Sequence, residues 1–348
     1  MNKELKLGII AALENKPSAN FSAEDVNTAA INAIMQACGL TADSSAREIR
    51  AKEDMAFALI EEAVDEILPK KLEQVLGGFA EIRTFPRDAE VVFNIEKIGK
   101  QRAKLTIAKG ARGGIYRAAR LDSKFFSPST SVYTASVYVT LEELILGTAS
   151  LGELYANILE GFEEIVYKEV FNALATGADA AGYGRIVDGA SNGASDHNFD
   201  ANRNILTTKA TLGGALDMVM PYVKQYGIPT IFGSYRVLSA LRNGVIGTNL
   251  TPDVEDVRRY GFVQEYKGVK VVELPNYLID NSNKEWFYSD SFVFVVPSGI
   301  KPVKVALKGE LYIQRNESAV GSEKGEAHKI MGVGLAMANS YAVIKVTD

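Results

Sequence analysis

The spacing of apolar residues changes along the chain, and each change predicts a different secondary structure. After Ser45, apolar residues recur every three or four positions, and Ser45 to Glu48 has the hydroxyl-x-x-carboxylate spacing of a helix start. The apolar stripe consists of Ala56, Leu59, Ile60, Ala63, Val64 and Ile67. We expect Pro69 to end or kink this helix. A similar pattern follows Ser22, so the first 80 residues are predicted to be helical.

From Ala89 to about Tyr138, apolar and polar residues alternate, which is typical of β-strands. The middle of this region is strongly basic, with nine basic residues and one acid, Asp122. The basic residues are Lys97, Lys100, Arg102, Lys104, Lys109, Arg112, Arg117, Arg120 and Lys124. Apolar residues are too few here to hold a core alone, so we expect the segment to lean on another surface or to be mobile.

A long helix is predicted over residues 150–176. Ser150 to Glu153 has capping-box spacing, and apolar residues then follow at intervals of three and four as far as Leu174. Gly177 is the expected stop. The helix would be about 40 Å long, and its polar face carries no residue suited to catalysis. That face contains Glu153, Glu160, Glu163, Glu164 and Glu169, against a single Lys168.

The remainder of the chain predicts a mixed fold. A loop-rich stretch follows Gly177, helical patterns occupy about 209–226 and 234–243, and strands dominate from Gly268 onward. Helices and strands in this order indicate an α+β fold rather than a regular succession of βαβ units.

Composition narrows the possible classes. The chain has 348 residues, 47% of them hydrophobic, and a net charge of −5, which argues against nucleic-acid binding by the whole protein but not against a local basic patch. It contains no apolar window of about 18 residues, so no membrane span is expected. Cys38 is the single cysteine, which excludes an intrachain disulfide and indicates a reducing compartment or indifference to redox conditions.

The motifs of catalysis and metal binding are missing from the sequence. His197 and His328 are far apart, and the stretch from Asp196 to Asp200 lacks the glycine and glutamate that complete a calcium loop. The glycines in KGARGGIYR are not followed by the Gly-Lys-Ser/Thr of a phosphate-binding loop. We therefore expect no catalytic residue, no cofactor and no metal, although an acid/base pair among the many carboxylates stays open.

The basic run has three interpretations: a nucleic-acid contact, a contact with an acidic protein surface, or a solvated strand pair. Its few aromatic residues argue against nucleic acid. An acidic surface lies nearby in sequence, on the long helix, and an extended loop would reach the helix of a neighbouring copy. The hypothesis is that Arg102, Lys104, Arg112 and Arg117 contact Glu153, Glu160, Glu163 and Glu164 of that neighbour.

The order of these parts resembles a known family. A helical arm and an extended two-stranded loop precede VYVTLEELILGTASLGELYANILEGFEEIVYKEVFNALATG, followed by PTIFGSYRVLSALRNG, GVKVVELPNYL, FVFVVPSGIKPVKVALKGELYIQ and GLAMANSYAVIKV. This arrangement is similar to a major capsid protein of a tailed bacteriophage, with the Hong Kong phage type of fold that herpesvirus shells share. The resemblance covers nearly the whole chain and rests on architecture rather than on a catalytic signature.

The resemblance implies four structural parts. They are an N-terminal arm, 1–85; an extended β-hairpin loop across the adjacent subunit, 86–139; a peripheral domain with spine helix 150–176, comprising 140–184 and 301–330; and an axial domain, comprising 185–300 and 331–348.

It also implies a structural, non-enzymatic role. Copies would self-assemble as pentamers and hexamers of an icosahedral head that encloses double-stranded DNA, in the cytoplasm of the host bacterium. Expected partners are other copies, portal and scaffolding or decoration proteins, and DNA through weak non-specific contact only. Two alternatives remain: the shell protein of an encapsulin-like bacterial nanocompartment, and a soluble enzyme with an unrecognised carboxylate site.

Overall fold

The computed structural model combines long helices with two main β-sheets, which confirms the predicted α+β class. It describes residues 39, 46–95, 124–140, 151–179, 185–187, 204–241, 259–278, 282, 284, 286–317, 322–336 and 340–347. The helical pattern after Ser22 and the middle of the basic run lie outside these residues.

Two long helices dominate the helical part. They are α1 (Ala46–Leu76) and α2 (Leu151–Asp179); shorter ones are α3 (Leu212–Val223), preceded by a 3-10 turn at Lys209–Thr211, and α4 (Tyr235–Leu238). Pro69 lies inside α1, and α2 continues two residues beyond Gly177, so neither residue ends its helix. A glycine costs a helix only about 1 kcal/mol relative to alanine, so it does not by itself end a helix.

A four-stranded sheet lies against both long helices. Its strands are β1 (Ala80–Phe85), β4 (Ser131–Thr140), β11 (Val303–Glu317) and β12 (Ser322–Leu335), in the order β1-β11-β12-β4. Strand β1 pairs with β11 in parallel, and the other pairs are antiparallel. The register between β11 and β12 shifts between Lys308 and Tyr312, where Gly309 has a φ of +70°. A left-handed backbone of this kind favours glycine and marks a β-bulge.

A seven-stranded sheet forms the second layer. Its strands are β5 (Arg185–Val187), β6 (Asn204–Thr208), β7 (Pro229–Gly233), β8 (Glu265–Tyr266), β9 (Val269–Glu273), β10 (Phe292–Pro297) and β13 (Ala342–Thr347), in the order β5-β6-β13-β10-β7-β9-β8. All six residues of β10 are buried, as its continuous apolar run FVFVVP predicts. Phe294 packs in the cluster that contains α2, whereas Val295 packs in the cluster that contains α3, so this strand contributes to two cores.

A third, two-stranded sheet covers part of the outer face of the four-stranded sheet. It pairs β2 (Phe93–Ile95) with β3 (Lys124–Phe126), the two ends of the segment that carries the basic run. Phe93 packs on Ala306 of β11. A Cβ atom at Gly334 of β12 would lie 2.7 Å from the ring of Phe126, so this close approach requires glycine.

The two main sheets meet at an aromatic cluster beneath α2. Phe79, between α1 and β1, lies edge-on to Phe232 of β7 and 6.0 Å from Phe171 of α2, measured between ring centroids. Phe171 in turn stacks on Tyr288 at 4.2 Å. Helix α1, helix α2 and the seven-stranded sheet therefore share one core.

The four-stranded sheet contains strands from more than one of the four expected parts. Strand β1 comes from the expected arm and β4 from the expected loop, yet both belong to the four-stranded sheet. Strand β12 continues through residue 330 to Leu335 because it pairs with β11 along that length. The assignment of these parts to arm, loop, peripheral and axial domains stays a prediction.

Candidate intersubunit interface

The residues predicted to meet across subunits fall into three groups. Arg102, Lys104, Arg112 and Arg117 lie outside the residues that the structure describes. Glu153 lies in α2, but its side chain is outside the described part. Glu160 is exposed on α2, whereas Glu163 and Glu164 are only partly exposed.

Glu163 faces α1 rather than solvent. Its side chain is 15% exposed, and its Oε1 atom lies 3.3 Å from Nζ of Lys71 on α1. The contact is electrostatic rather than a well-formed hydrogen bond, since no hydrogen bond from the described residues reaches this buried oxygen. Burial raises the pKa of Glu163; the charge of Lys71 opposes this effect, and the nearby Glu160 adds to it.

Glu164 is held by the segment that follows β9. The hydroxyl of Tyr277 donates a hydrogen bond to Oε1 of Glu164 at 2.5 Å, and the ring of Tyr277 stacks on Phe287 at 4.9 Å. Burial raises the pKa of Tyr277, and the Glu164 carboxylate raises it further, so the phenol remains a donor at neutral pH. Glu163 and Glu164 therefore each contact another element of their own subunit, and their contact with a neighbouring copy stays a prediction.

The long helix is positioned by its apolar stripe, as the sequence predicts. Ile158, Phe162, Val166 and Val170 are buried along one side, at intervals of four residues. Near its C-terminal end, the hydroxyl of Tyr341 donates to the carbonyl of Leu174 at 2.9 Å. This bond ties α2 to the residue directly before β13.

A buried ion pair, which the sequence analysis missed, joins α1 to the four-stranded sheet. Nζ of Lys329 donates to Oδ1 of Asp65 at 2.5 Å and to the carbonyl of Gly309 at 2.6 Å. The other oxygen of Asp65 accepts the amide of Leu311 at 2.8 Å. The sequence did offer a signal for this ion pair. Asp65 is a carboxylate beside Val64 of the apolar helical stripe, and Lys329 is a lysine at an inward-facing position of β12.

A second ion pair bridges the parallel strands. Glu81 of β1 and Lys304 of β11 stand opposite each other and are hydrogen bonded, and Arg83 contacts the same carboxylate at 2.5 Å. Burial alone would raise the pKa of Glu81, but the hydrogen bond and charge of Lys304, together with Arg83, hold it below its usual value. The charge of Glu81 is therefore favourable in the fold.

The polar contacts described above join elements of the fold to one another. Within them, no group of three or more His, Cys, Asp or Glu side chains could hold a metal ion. His328 contacts Thr134 across neighbouring strands at 2.9 Å. None of the helices in the described ranges combines the length and apolar character needed to cross a bilayer.

The fold is similar to the folds found in solved phage capsids. The asymmetric unit of the bacteriophage PhiM1 mature capsid aligns with a TM-score of 0.50 at 12% identity, covering 78% of this chain and 86% of that one. The capsid of a native GTA particle gives 0.49 at 12% identity, covering 79% and 90%. The satellite phage P4 procapsid including size determination (Sid) protein gives 0.48 at 10% identity, covering 100% and 99%.

The sequence places the chain within a particular family. A family model described as "SPbeta prophage-derived putative capsid protein YonB" matches residues 9–345, and the chain belongs to this family. No curated protein matches the sequence of this chain. The resemblance to a phage capsid protein is thereby confirmed, and the role of the chain is structural.

Proposed function

We propose that this protein is a major capsid protein whose copies assemble, as pentamers and hexamers, into an icosahedral phage head around double-stranded DNA. The observation that carries the proposal is the family match over residues 9–345, on a fold similar to the PhiM1 capsid. Assembly takes place in the host cytoplasm, and portal and scaffolding or decoration proteins are the further partners.

The internal contacts suit a subunit that must act as one stiff body. Helix α2 packs on the four-stranded sheet and, through Phe171, on the seven-stranded sheet. Each exposed charge pair between subunits contributes only about 0–1 kcal/mol, but contacts repeated around a closed lattice add up. Weak single contacts also allow a misplaced subunit to leave during assembly.

Charge supports a limited role for DNA contact. The net charge of −5 disfavours tight binding of a polyanion by the subunit as a whole. The basic run instead complements an acidic protein surface. We propose that Arg102, Lys104, Arg112 and Arg117 contact Glu153, Glu160, Glu163 and Glu164 of a neighbouring copy. Within their own subunit, Glu163 also lies beside Lys71 and Glu164 accepts a hydrogen bond from Tyr277.

Electron microscopy of the purified protein, with size-exclusion chromatography, tests the proposal. Closed particles, tubes or capsomers are expected. A monodisperse monomer or dimer at all protein and salt concentrations would overturn the proposal and favour the soluble-enzyme alternative. For particles purified from the native host, packaged DNA is the expected content. An enclosed enzyme would instead identify a nanocompartment.

A further inference from the structure

The contact between α1 and α2 combines an apolar seam with one ionisable pair. Leu68 and Leu72 of α1 are buried in the same cluster as Phe162 of α2. Lys71 and Glu163 meet beside this seam, and their side chains are 34% and 15% exposed. Glu163 directly follows the buried Phe162, so its carboxylate lies at the margin of the apolar cluster rather than on an open helix surface.

The pair of Lys71 and Glu163 is incomplete as a hydrogen-bonding arrangement. Oε1 of Glu163 is buried, and no hydrogen bond from the described residues reaches it. Nζ of Lys71 lies 3.3 Å away, which is close enough for attraction between the two charges. Because a carboxylate in water accepts hydrogen bonds from the solvent, burial of this oxygen without a well-formed donor bond destabilises the charged form.

The carboxylate of Asp65, which α1 also holds against another element, provides a contrast. One of its oxygens accepts a hydrogen bond from Lys329, and the other accepts the amide of Leu311. Its charge is therefore compensated on both sides. Of these two carboxylates, Glu163 is the one whose ionised form is poorly accommodated by the fold.

The other titratable groups around Glu163 do not supply the missing donor. Glu160 and Tyr167 lie about one turn before and after it on α2. The charge of Glu160 opposes ionisation of Glu163, and burial together with the Glu163 charge raises the pKa of Tyr167. Tyrosines from other elements packed on α2 act on its other carboxylates: Tyr277 on Glu164, and Tyr133 of β4 on Glu169.

We propose that the contact between α1 and α2 is a proton-responsive clamp, which is tight while Glu163 is neutral and loosens when Glu163 is ionised. A neutral carboxyl group removes a poorly compensated charge from the margin of the seam, so that α1 packs against α2 at a lower cost. Because α1 is followed directly by β1, loosening of α1 would extend to an edge of the four-stranded sheet. This clamp is independent of the proposed function.

Acidification is expected to tighten the clamp. Burial raises the pKa of Glu163 above the ordinary value of 4.5, although the charge of Lys71 opposes this effect. The contribution of Glu163 is therefore fully present below pH 4.5 and is lost as pH rises through the folded-state pKa. The pKa of Glu81 is lowered instead, so its contribution is present above pH 4.5 and a series that stays above this pH isolates Glu163 from Glu81.

Hydrogen–deuterium exchange measures the clamp segment by segment. Peptides from residues 64–76 and 158–174 of the full-length protein are followed between about pH 4.5 and 8, with rates corrected for the intrinsic effect of pH. Size-exclusion chromatography checks that the assembly state is the same throughout. Protection of both segments is expected to rise severalfold toward the acidic end, and peptides from α3 should change less. An equal change in α3 would indicate a global effect and overturn the inference.

Three variants identify the group responsible. Glu163→Gln stays neutral at every pH, so it should keep both segments protected and abolish the pH dependence. Lys71→Met removes the opposing charge and should move the loss of protection to higher pH. Glu66→Gln is the matched control on α1, because Glu66 forms an exposed pair with Lys70, and it should retain the pH dependence. The same pH dependence in Glu163→Gln as in the unmodified protein would overturn the inference.

Discussion

Phe79 lies edge-on to Phe232, with ring centroids 5.2 Å apart, although one residue follows the first long helix and the other lies in the seven-stranded sheet. Both side chains are buried in the cluster that also contains α2. This contact therefore joins the segment between α1 and β1 to the seven-stranded sheet. Its removal should lower the stability of the protein.

Phe79→Ala is expected to lower the free energy of unfolding by about 3–5 kcal/mol, because it leaves a cavity where two sheets and a helix meet. Chemical denaturation followed by circular dichroism measures the change. Phe125→Ala is the control: Phe125 is 70% exposed, so its loss should change stability by less than about 0.5 kcal/mol. Similar losses for the two variants would contradict this account of the junction.

Two glycines should respond oppositely to the same substitution. A Cβ atom at Gly78 would lie 2.8 Å from the ring of Phe232, so Gly78→Ala is expected to destabilise the protein by about 1–3 kcal/mol. Gly161 lies inside α2 with nothing within 4 Å of its added Cβ, so Gly161→Ala is expected to stabilise by about 0.5–1 kcal/mol. Melting curves that shift in the same direction for both variants would be inconsistent with these environments.

The buried pair of Asp65 and Lys329 should behave as a coupled unit. Lys329→Met alone is expected to destabilise the protein by about 3 kcal/mol, because it leaves the Asp65 carboxylate, which is only 20% exposed, without its counter-charge. Asp65→Asn keeps an oxygen for the amide of Leu311 but removes that charge. The double variant should therefore lose less stability than the sum of the two single variants. Additive losses in a double-mutant cycle would show that the two groups do not interact.

Glu163 and Glu81 predict opposite pH dependences. The folded state raises the pKa of Glu163 above the unfolded value of 4.5, so its contribution is most favourable below that pH and is lost as pH rises through the folded pKa. The folded state lowers the pKa of Glu81, so its contribution is present above 4.5 and is lost as pH falls through the folded pKa.

Substitution by glutamine separates these two contributions. At pH 7, Glu163→Gln should stabilise the protein and Glu81→Gln should destabilise it, and both differences should shrink toward acidic pH. Denaturant titrations between about pH 3 and 8 measure this. The same sign for both variants at pH 7 would contradict the assigned environments.

Charge reversal on α2 should separate assembly from folding. Glu160 is exposed, so Glu160→Lys is expected to impair assembly at low salt while subunit stability changes by less than about 0.5 kcal/mol. Reversal of Arg102 or Arg112 should partly restore assembly. Glu163→Lys, which places a second positive charge beside Lys71, should instead destabilise the subunit itself. Normal assembly of Glu160→Lys would remove Glu160 from the proposed contact.

Sequence pattern predicted the elements that follow from local spacing. The stripe from Ile158 to Leu174 predicted α2 to within three residues at its end, and the run FVFVVP predicted β10. It did not predict β1, a short strand directly after a helix. The parallel partner of β1 begins 223 positions later, and local patterning carries no information about so distant a pairing.

In the candidate interface, too, local spacing predicted some features, whereas others depend on contacts between distant parts of the chain. An acidic face on α2 was visible in the sequence, because the positions of helical side chains follow from their spacing. That Glu163 meets Lys71, and Glu164 meets Tyr277, depends on which elements pack beside α2. The Asp65–Lys329 pair spans 264 positions, so only the tertiary fold brings its two charges together.

Strand β10 has a consequence for how the subunit unfolds. Its alternate side chains complete the apolar cluster around α2 on one face and the cluster around α3 on the other, so neither cluster can open without exposing residues of the other. The two layers should therefore melt together, in a single calorimetric transition whose van't Hoff and measured enthalpies agree. For assembly from identical subunits, such cooperativity means that each subunit is either fully folded or fully unfolded, so partly folded subunits are not incorporated.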